Sequence, residues 1–268
     1  MKQFFTKTGW LIAIILVVSA LSMLFTGIIQ MCMKSIGSMN GAEIPEDILL
    51  GASGSIGVAL AAITLWLAMR RSAKWGFYHC ERPAGMAWRA VFILFIFATC
   101  RVVLPAIWAY IPFTAGDSGT LSTEPLWVKI ALGVVLAPVF EELLFRKDIL
   151  SLLLHKFTWQ WSVGLSAFLF AIIHGYNAEG FVSCLFAGAL FAILMLRTGS
   201  LMTCIAAHGL CNLEALVYNM LEDSGCGIIV MVAGHSVYNV AINVIGLIVM
   251  VACAIYLWRN DCGVASCH

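Results

Sequence analysis

Residues 9–33 read GWLIAIILVVSALSMLFTGIIQMCM, an uninterrupted stretch without a charged side chain. About 20 apolar residues in a helix cross a bilayer's hydrocarbon core, so this run is long enough. Lys2 and Lys7 precede it, as in a secretory signal. The run is too long for a signal's apolar region, and no small-x-small cleavage site follows, so it reads as a retained first helix. Further apolar runs lie at 48–69, 88–113, 126–145, 161–174, 181–196, 201–221 and inside 228–258. The expected fold is an all-α, polytopic membrane helical bundle of about eight transmembrane helices. Short connections and the absence of an internal repeat predict a single membrane domain over 1–268.

Composition agrees. Hydrophobic residues make up 62% and charged residues 11%, against roughly 25% charged in a soluble domain. Mean hydropathy is +0.98. A disordered chain, a soluble enzyme and a nucleic-acid binder are all excluded. The partners that remain are the lipid bilayer and molecules anchored in it.

The charges set the orientation. With the N-terminus inside, the inside segments hold Lys2, Lys7, Arg70, Arg71, Lys74, Arg82, Arg146, Lys147, Lys156, Arg197 and Arg259, and the outside segments only Lys34. This predicts N-in, C-in by the positive-inside rule, in what reads as a bacterial cytoplasmic membrane. Cys32, Cys100, Cys184, Cys204, Cys211 and Cys253 fall in or at the ends of apolar runs, where a thiol acts as a small hydrophobe. Cys262 and Cys267 lie in the inside tail, where disulfides are uncommon.

Few ionisable side chains remain inside the spans: Arg101, Lys129, Glu141, Glu142, His174, His208, Glu214 and His235. Each costs about 2.5–3.5 kcal/mol to insert at a bilayer centre, so each is a functional candidate. Glu141 and Glu142 follow Pro138, which removes a backbone donor and is expected to kink the helix. Glu142 and Arg146 are i and i+4 and can pair, while Glu141 points about 100° away and stays available for proton transfer. The bland alternative has both acids touching headgroups at a helix end. Phe170 and His174 are also i and i+4, as are His208 and Asn212. Taken singly, His174 could be an interfacial histidine, and His208 with Asn212 could be interhelical glue.

Depth brings these groups to one level. Glu141 is 17 residues before Thr158 and His174 is 16 after it. If Thr158 marks a hairpin turn, both lie about 24 Å along their helices. Asn212 is 13 residues past Gly199, or roughly 20 Å from that turn. Two carboxylates, two imidazoles and a carboxamide then share a depth, with no covalent nucleophile in register. Water is the nucleophile this set suits. A carboxylate acts as general base, and an amide is a good donor to a tetrahedral oxyanion. The reaction implied is hydrolysis of an amide. A zinc site of Glu141, His174 and His208 is the rival within that class, disfavoured because no HExxH is present; no cofactor is expected.

Glu141-Glu142-x-x-x-Arg146, Phe170-x-x-x-His174 and His208-x-x-x-Asn212, in this order on successive apolar runs, resemble the signature of the CPBP family, the CAAX proteases and bacteriocin-processing proteins, also called the Abi family. The resemblance covers residues 126–221, the expected catalytic core. It implies an intramembrane endopeptidase of a membrane-anchored peptide or protein, with a cavity facing the cytoplasm. It also implies Glu141 activating water, His174 assisting, His208 and Asn212 forming the oxyanion site, and Glu142, Arg146 and Phe170 supporting them. Lys147 stands where many relatives have Gly. Glu214 is outside the signature and reads either as a partner for Arg101 or as a substrate contact. Two other functions fit the same residues: a non-proteolytic immunity or scaffold protein of this fold, and a small proton-coupled transporter.

Overall fold

A computed structural model of the chain describes residues 2–39, 46–71, 77–100, 126–174, 178–223 and 237–260. Among these the protein is all-helical, with eight helices and no strand. They are α1 (Lys2–Met39), α2 (Glu46–Arg71), α3 (Met86–Ala98), α4 (126–154), α5 (Trp159–Ile173), α6 (Ala178–Thr198), α7 (Leu201–Asp223) and α8 (Val237–Arg259). Each coincides with one of the apolar runs. Helix α4 extends past its run to Leu154, as the apolar residues Ile149–Leu154 allow. The run at 88–113 is described only to Cys100; Arg101 and His235 lie outside the described residues.

Helix α4 is not uniform. Two π-helical stretches, Ile130–Leu136 and Leu143–Ile149, flank the α-helical turns Ala137–Glu142. Pro138 sits in the first turn of that α segment, where a missing N–H is tolerated. The helix therefore continues through Pro138, with the π register ahead of it. Single-turn π segments often mark functional sites, and the glutamate pair falls between two of them.

The residues group into two compact units, one of Met1–Tyr78 with Val135–Ser162, the other of His79–Val134 with Val163–His268. In the first, α1 lies close against α2. A Cβ at Gly57 would overlap the Thr26 side chain and come within 2.9 Å of the Thr26 backbone nitrogen. Small residues allow such approach where van der Waals packing holds helices together. Helix α2 also packs on residues 137–149 of α4. There Leu144, Phe145, Ile149, Leu150 and Leu153 are buried. Ser151 accepts a hydrogen bond from the Tyr78 backbone N–H at 3.0 Å, and Lys147 Nζ lies 4.7 Å from the Phe77 ring centroid. Both bind the segment after α2 to α4.

In the second unit a tight turn sets the register of α6 against α7. Gly199 has φ +59, the left-handed conformation that ends helices and that a side chain would strain. Its N–H bonds the Met195 carbonyl at 2.8 Å. Ser200 then caps α7, accepting from the Thr203 N–H at 3.3 Å. Phe191 is 8 residues before Gly199 and His208 is 9 after it, so the hairpin brings them to the same level. Arg89 of α3 donates to Thr203 Oγ1 at 3.2 Å, and the Ala84 N–H to the Arg197 carbonyl at 2.8 Å. These bonds fix the entry to α3 beside the same turn.

Each unit exposes large apolar side chains. Leu16, Met23, Leu24 and Met31 of α1 are exposed, as are Val244, Ile245, Ile248, Val251 and Ile255 of α8. Soluble monomers rarely carry apolar patches of this extent, so the helices are consistent with membrane insertion. Among the described residues two stretches, Leu16–Met39 and Gly180–Thr198, are both long and apolar enough to cross a bilayer. Met86–Ala98, Trp159–Ile173, Leu201–Val217 and Val244–Arg259 are shorter apolar helices.

Candidate active site

In the first unit the glutamate pair divides as the helical period requires. Glu142 is fully buried, and its Oε2 lies 3.0 Å from Arg146 Nε, also fully buried. Two charges removed from water persist only when paired, so the ion pair is a fixed structural element of α4. Glu141, one residue earlier, is only partly buried. The Arg146 guanidinium carbon also lies 5.9 Å from the Phe145 ring centroid. The sequence reading passed over Asp148, which is fully buried in the same π-helical stretch as Arg146.

The second unit assembles the imidazoles around two phenylalanines. Phe170, on α5, is buried and touches both histidines. Its ring centroid is 4.4 Å from that of His174 and 5.8 Å, edge-on, from that of His208. Phe191, on α6, stacks on the His208 ring, with centroids 5.0 Å apart and planes inclined by 22°. His208 is 5% exposed, so its ring is held almost dry by aromatic neighbours.

His174 is oriented by its own helix. Its Nδ1 lies 2.7 Å from the Phe170 carbonyl oxygen. A carbonyl only accepts, so Nδ1 carries the proton and donates it. In the neutral ring Nε2 is then the basic nitrogen. This bond sits at the last turn of α5, where backbone carbonyls have lost their helical donors. The Phe-x-x-x-His spacing supplies both the ring below the imidazole and the carbonyl that selects its tautomer.

Asn212 follows His208 by one helical turn on α7 and donates through Nδ2 to the Gly133 carbonyl at 2.8 Å. Gly133 lies in the first π-helical stretch of α4. Phe170, His174, His208 and Asn212 thus belong to one unit and Glu141, Glu142 and Arg146 to the other. Glu214 is half-buried on α7. Among the described residues no three His, Cys, Asp or Glu side chains are grouped to hold a metal.

Three supporting residues were missed by sequence reasoning. Gly188 on α6 allows α5 to approach: a Cβ there would come within 3.2 Å of Ala167 Cα and of Phe170 Cδ1. Phe191, one turn on, provides the stacking face. Gly133 provides a carbonyl. Helix α6 has no charged side chain between Glu179 and Arg197, so a search for ionisable residues finds nothing on it.

Residues 123–213 match the family model Rce1-like, described as type II CAAX prenyl endopeptidase Rce1-like. Neither the curated proteins nor the solved structures gave a match. The matched segment is about a third of the chain, and every motif position from Glu141 to Asn212 falls within it. It is this segment, carrying the buried Glu142–Arg146 pair and the Phe170-centred imidazoles, that is similar to the Rce1-like CAAX protease family.

Proposed function

We propose that the protein is an intramembrane endopeptidase that hydrolyses a peptide bond near the end of a membrane-anchored protein or peptide, with glutamate-activated water. It works as a polytopic bundle of about eight spans, N-in and C-in, with its active site open to the cytoplasmic side. The single observation carrying the reading is Phe170. Its ring touches both imidazoles and its carbonyl fixes the His174 tautomer, which is more than interhelical glue or headgroup contact needs.

In this reading Glu141 accepts a proton from water, and His174 Nε2 accepts a hydrogen bond from the same water to aim it. The hydroxide adds to the scissile carbonyl carbon. An N–H of Asn212 and one of His208 stabilise the resulting oxyanion, whose charge is worth most to stabilise in a dry site. As the tetrahedral species collapses, Glu141 returns its proton to the departing amine. Glu142 and Arg146 hold the backbone from which Glu141 projects. The steps need no metal.

The substrate class rests on the family description and the apolar exterior. A prenylated Cys-a-a-X tail would place its lipid in the bilayer and its peptide at the membrane face. The test uses purified protein in phospholipid vesicles and a farnesylated Cys-a-a-X peptide, with mass spectrometry of the products. Release of the three C-terminal residues is expected, and no release from the same peptide without its lipid. If the unlipidated peptide is cut as fast, recognition of an anchored substrate is wrong; if neither is cut, prenyl tails are not its substrate.

A further inference from the structure

The Asn212 side chain is held by something other than a side chain. Its Nδ2 donates to the backbone carbonyl of Gly133 at 2.8 Å. Carbonyls inside a helix ordinarily accept from the amide one turn on. Gly133 lies in a π-helical stretch, Ile130–Leu136, whose register pairs each carbonyl with the amide five residues later. For Gly133 that residue is Pro138, which has no N–H. In the α register Pro138 withholds its donor from Val134 instead. Either way this turn of α4 has one donor fewer than a regular helix, and Asn212 supplies one from α7.

A carboxamide nitrogen carries two N–H groups in the plane of the amide. With one of them on the Gly133 carbonyl, the amide plane cannot rotate and the direction of the other is set. Donors already aimed where charge develops require no reorganisation during the reaction. We propose that the Gly133 carbonyl, exposed to outside donors by Pro138, is the anchor that orients Asn212 as an oxyanion donor, which makes Pro138 a positioning residue. The proposal rests on the oxyanion role given to Asn212 above. It deepens that role, because the proline ahead of the glutamates then serves α7 as well as its own helix.

The test is a double-mutant cycle on the vesicle-bound protein, using the farnesylated Cys-a-a-X peptide or, if that is not cut, any membrane-anchored peptide the wild type cleaves. Asn212→Ala is expected to lower kcat by about 10²–10³-fold, as for other oxyanion donors. Pro138→Ala restores a backbone N–H that competes for the carbonyl. It is expected to lower kcat by up to about tenfold, the worth of one net hydrogen bond, with KM unchanged. Because both act through one group, the double variant should be no slower than Asn212→Ala. Additive losses, or a Pro138→Ala effect on KM alone, would overturn the positioning role while leaving the oxyanion role standing. Full activity in Asn212→Ala would overturn both. A second readout guards against a general defect in Pro138→Ala. In side-chain amide NMR, with the Asn212 signals assigned by their absence in Asn212→Asp, one of the two wild-type protons should be shifted downfield and protected from exchange, and Pro138→Ala should lose both marks. Two fast-exchanging protons at free-carboxamide positions in the wild type would contradict the anchor.

Discussion

The His208 ring stacks on Phe191 with ring centroids 5.0 Å apart. The relationship follows from chain geometry: the Gly199 turn places residues 8 before and 9 after it side by side. A histidine proposed to donate to an oxyanion needs a fixed plane, and an aromatic face fixes one without competing for its nitrogens. Such contacts are worth about 0.5–1.5 kcal/mol. Phe191→Leu keeps bulk but removes the face. It is expected to reduce kcat by up to about tenfold with little change in Tm, read from steady-state kinetics beside a thermal melt.

The Glu142–Arg146 pair predicts a different pattern. Removing one member leaves a buried charge, at about 3–5 kcal/mol. Glu142→Leu or Arg146→Met should therefore lower Tm sharply and lose the folded protein from detergent extracts. Replacing both by Leu and Met should recover most of the stability, because the pair itself contributes little net energy. A double variant no more stable than the singles would show that the pair holds α4 through further partners.

Gly188 predicts a steric effect at a distance from the reacting groups. A Cβ there meets Ala167 Cα and Phe170 Cδ1, each at 3.2 Å. A leucine would push α5 from α6 and displace Phe170, whose ring contacts both imidazoles. Overpacking of this kind costs about 1–3 kcal/mol. Gly188→Leu is expected to lower both Tm and turnover, and Gly188→Ala to lower them less. Equal activity in all three would remove Phe170 from the account.

Much of this was legible in the sequence because long apolar helices leave their length in the primary structure. All eight helices among the described residues coincide with apolar runs, and the turns at residues 155–158 and at Gly199 fall where polar and glycine residues interrupt them. The i, i+4 spacings also translated directly: Glu142 pairs with Arg146, and Phe170 underlies His174. What was not legible has physical reasons. A π register inserts an extra residue into a turn without a compositional mark, so the stretches around Ala137–Glu142 were not foreseen. Phe191 and Gly188 act by shape on a helix otherwise apolar throughout. Gly133 acts through its carbonyl, which every residue possesses.

Metal dependence gives a prediction of its own. The proposed steps route proton transfer through Glu141 and charge stabilisation through N–H groups. Cleavage is therefore expected to continue in excess strong chelator, after dialysis into metal-free buffer. Loss of cleavage in chelator, restored by zinc, would favour Glu141, His174 and His208 as ligands instead.

The central claim is that Glu141 is the base. The direct measurement compares wild type with Glu141→Gln in vesicles, at equal folded protein, by initial rate of cleavage of a membrane-anchored peptide. Gln keeps the shape and loses the basic oxygen, so turnover should fall by at least about 10²-fold, the lower contribution of a positioned general base. Tm should stay within the range of a surface substitution. A Glu141→Gln protein that cleaves at the wild-type rate would contradict the account.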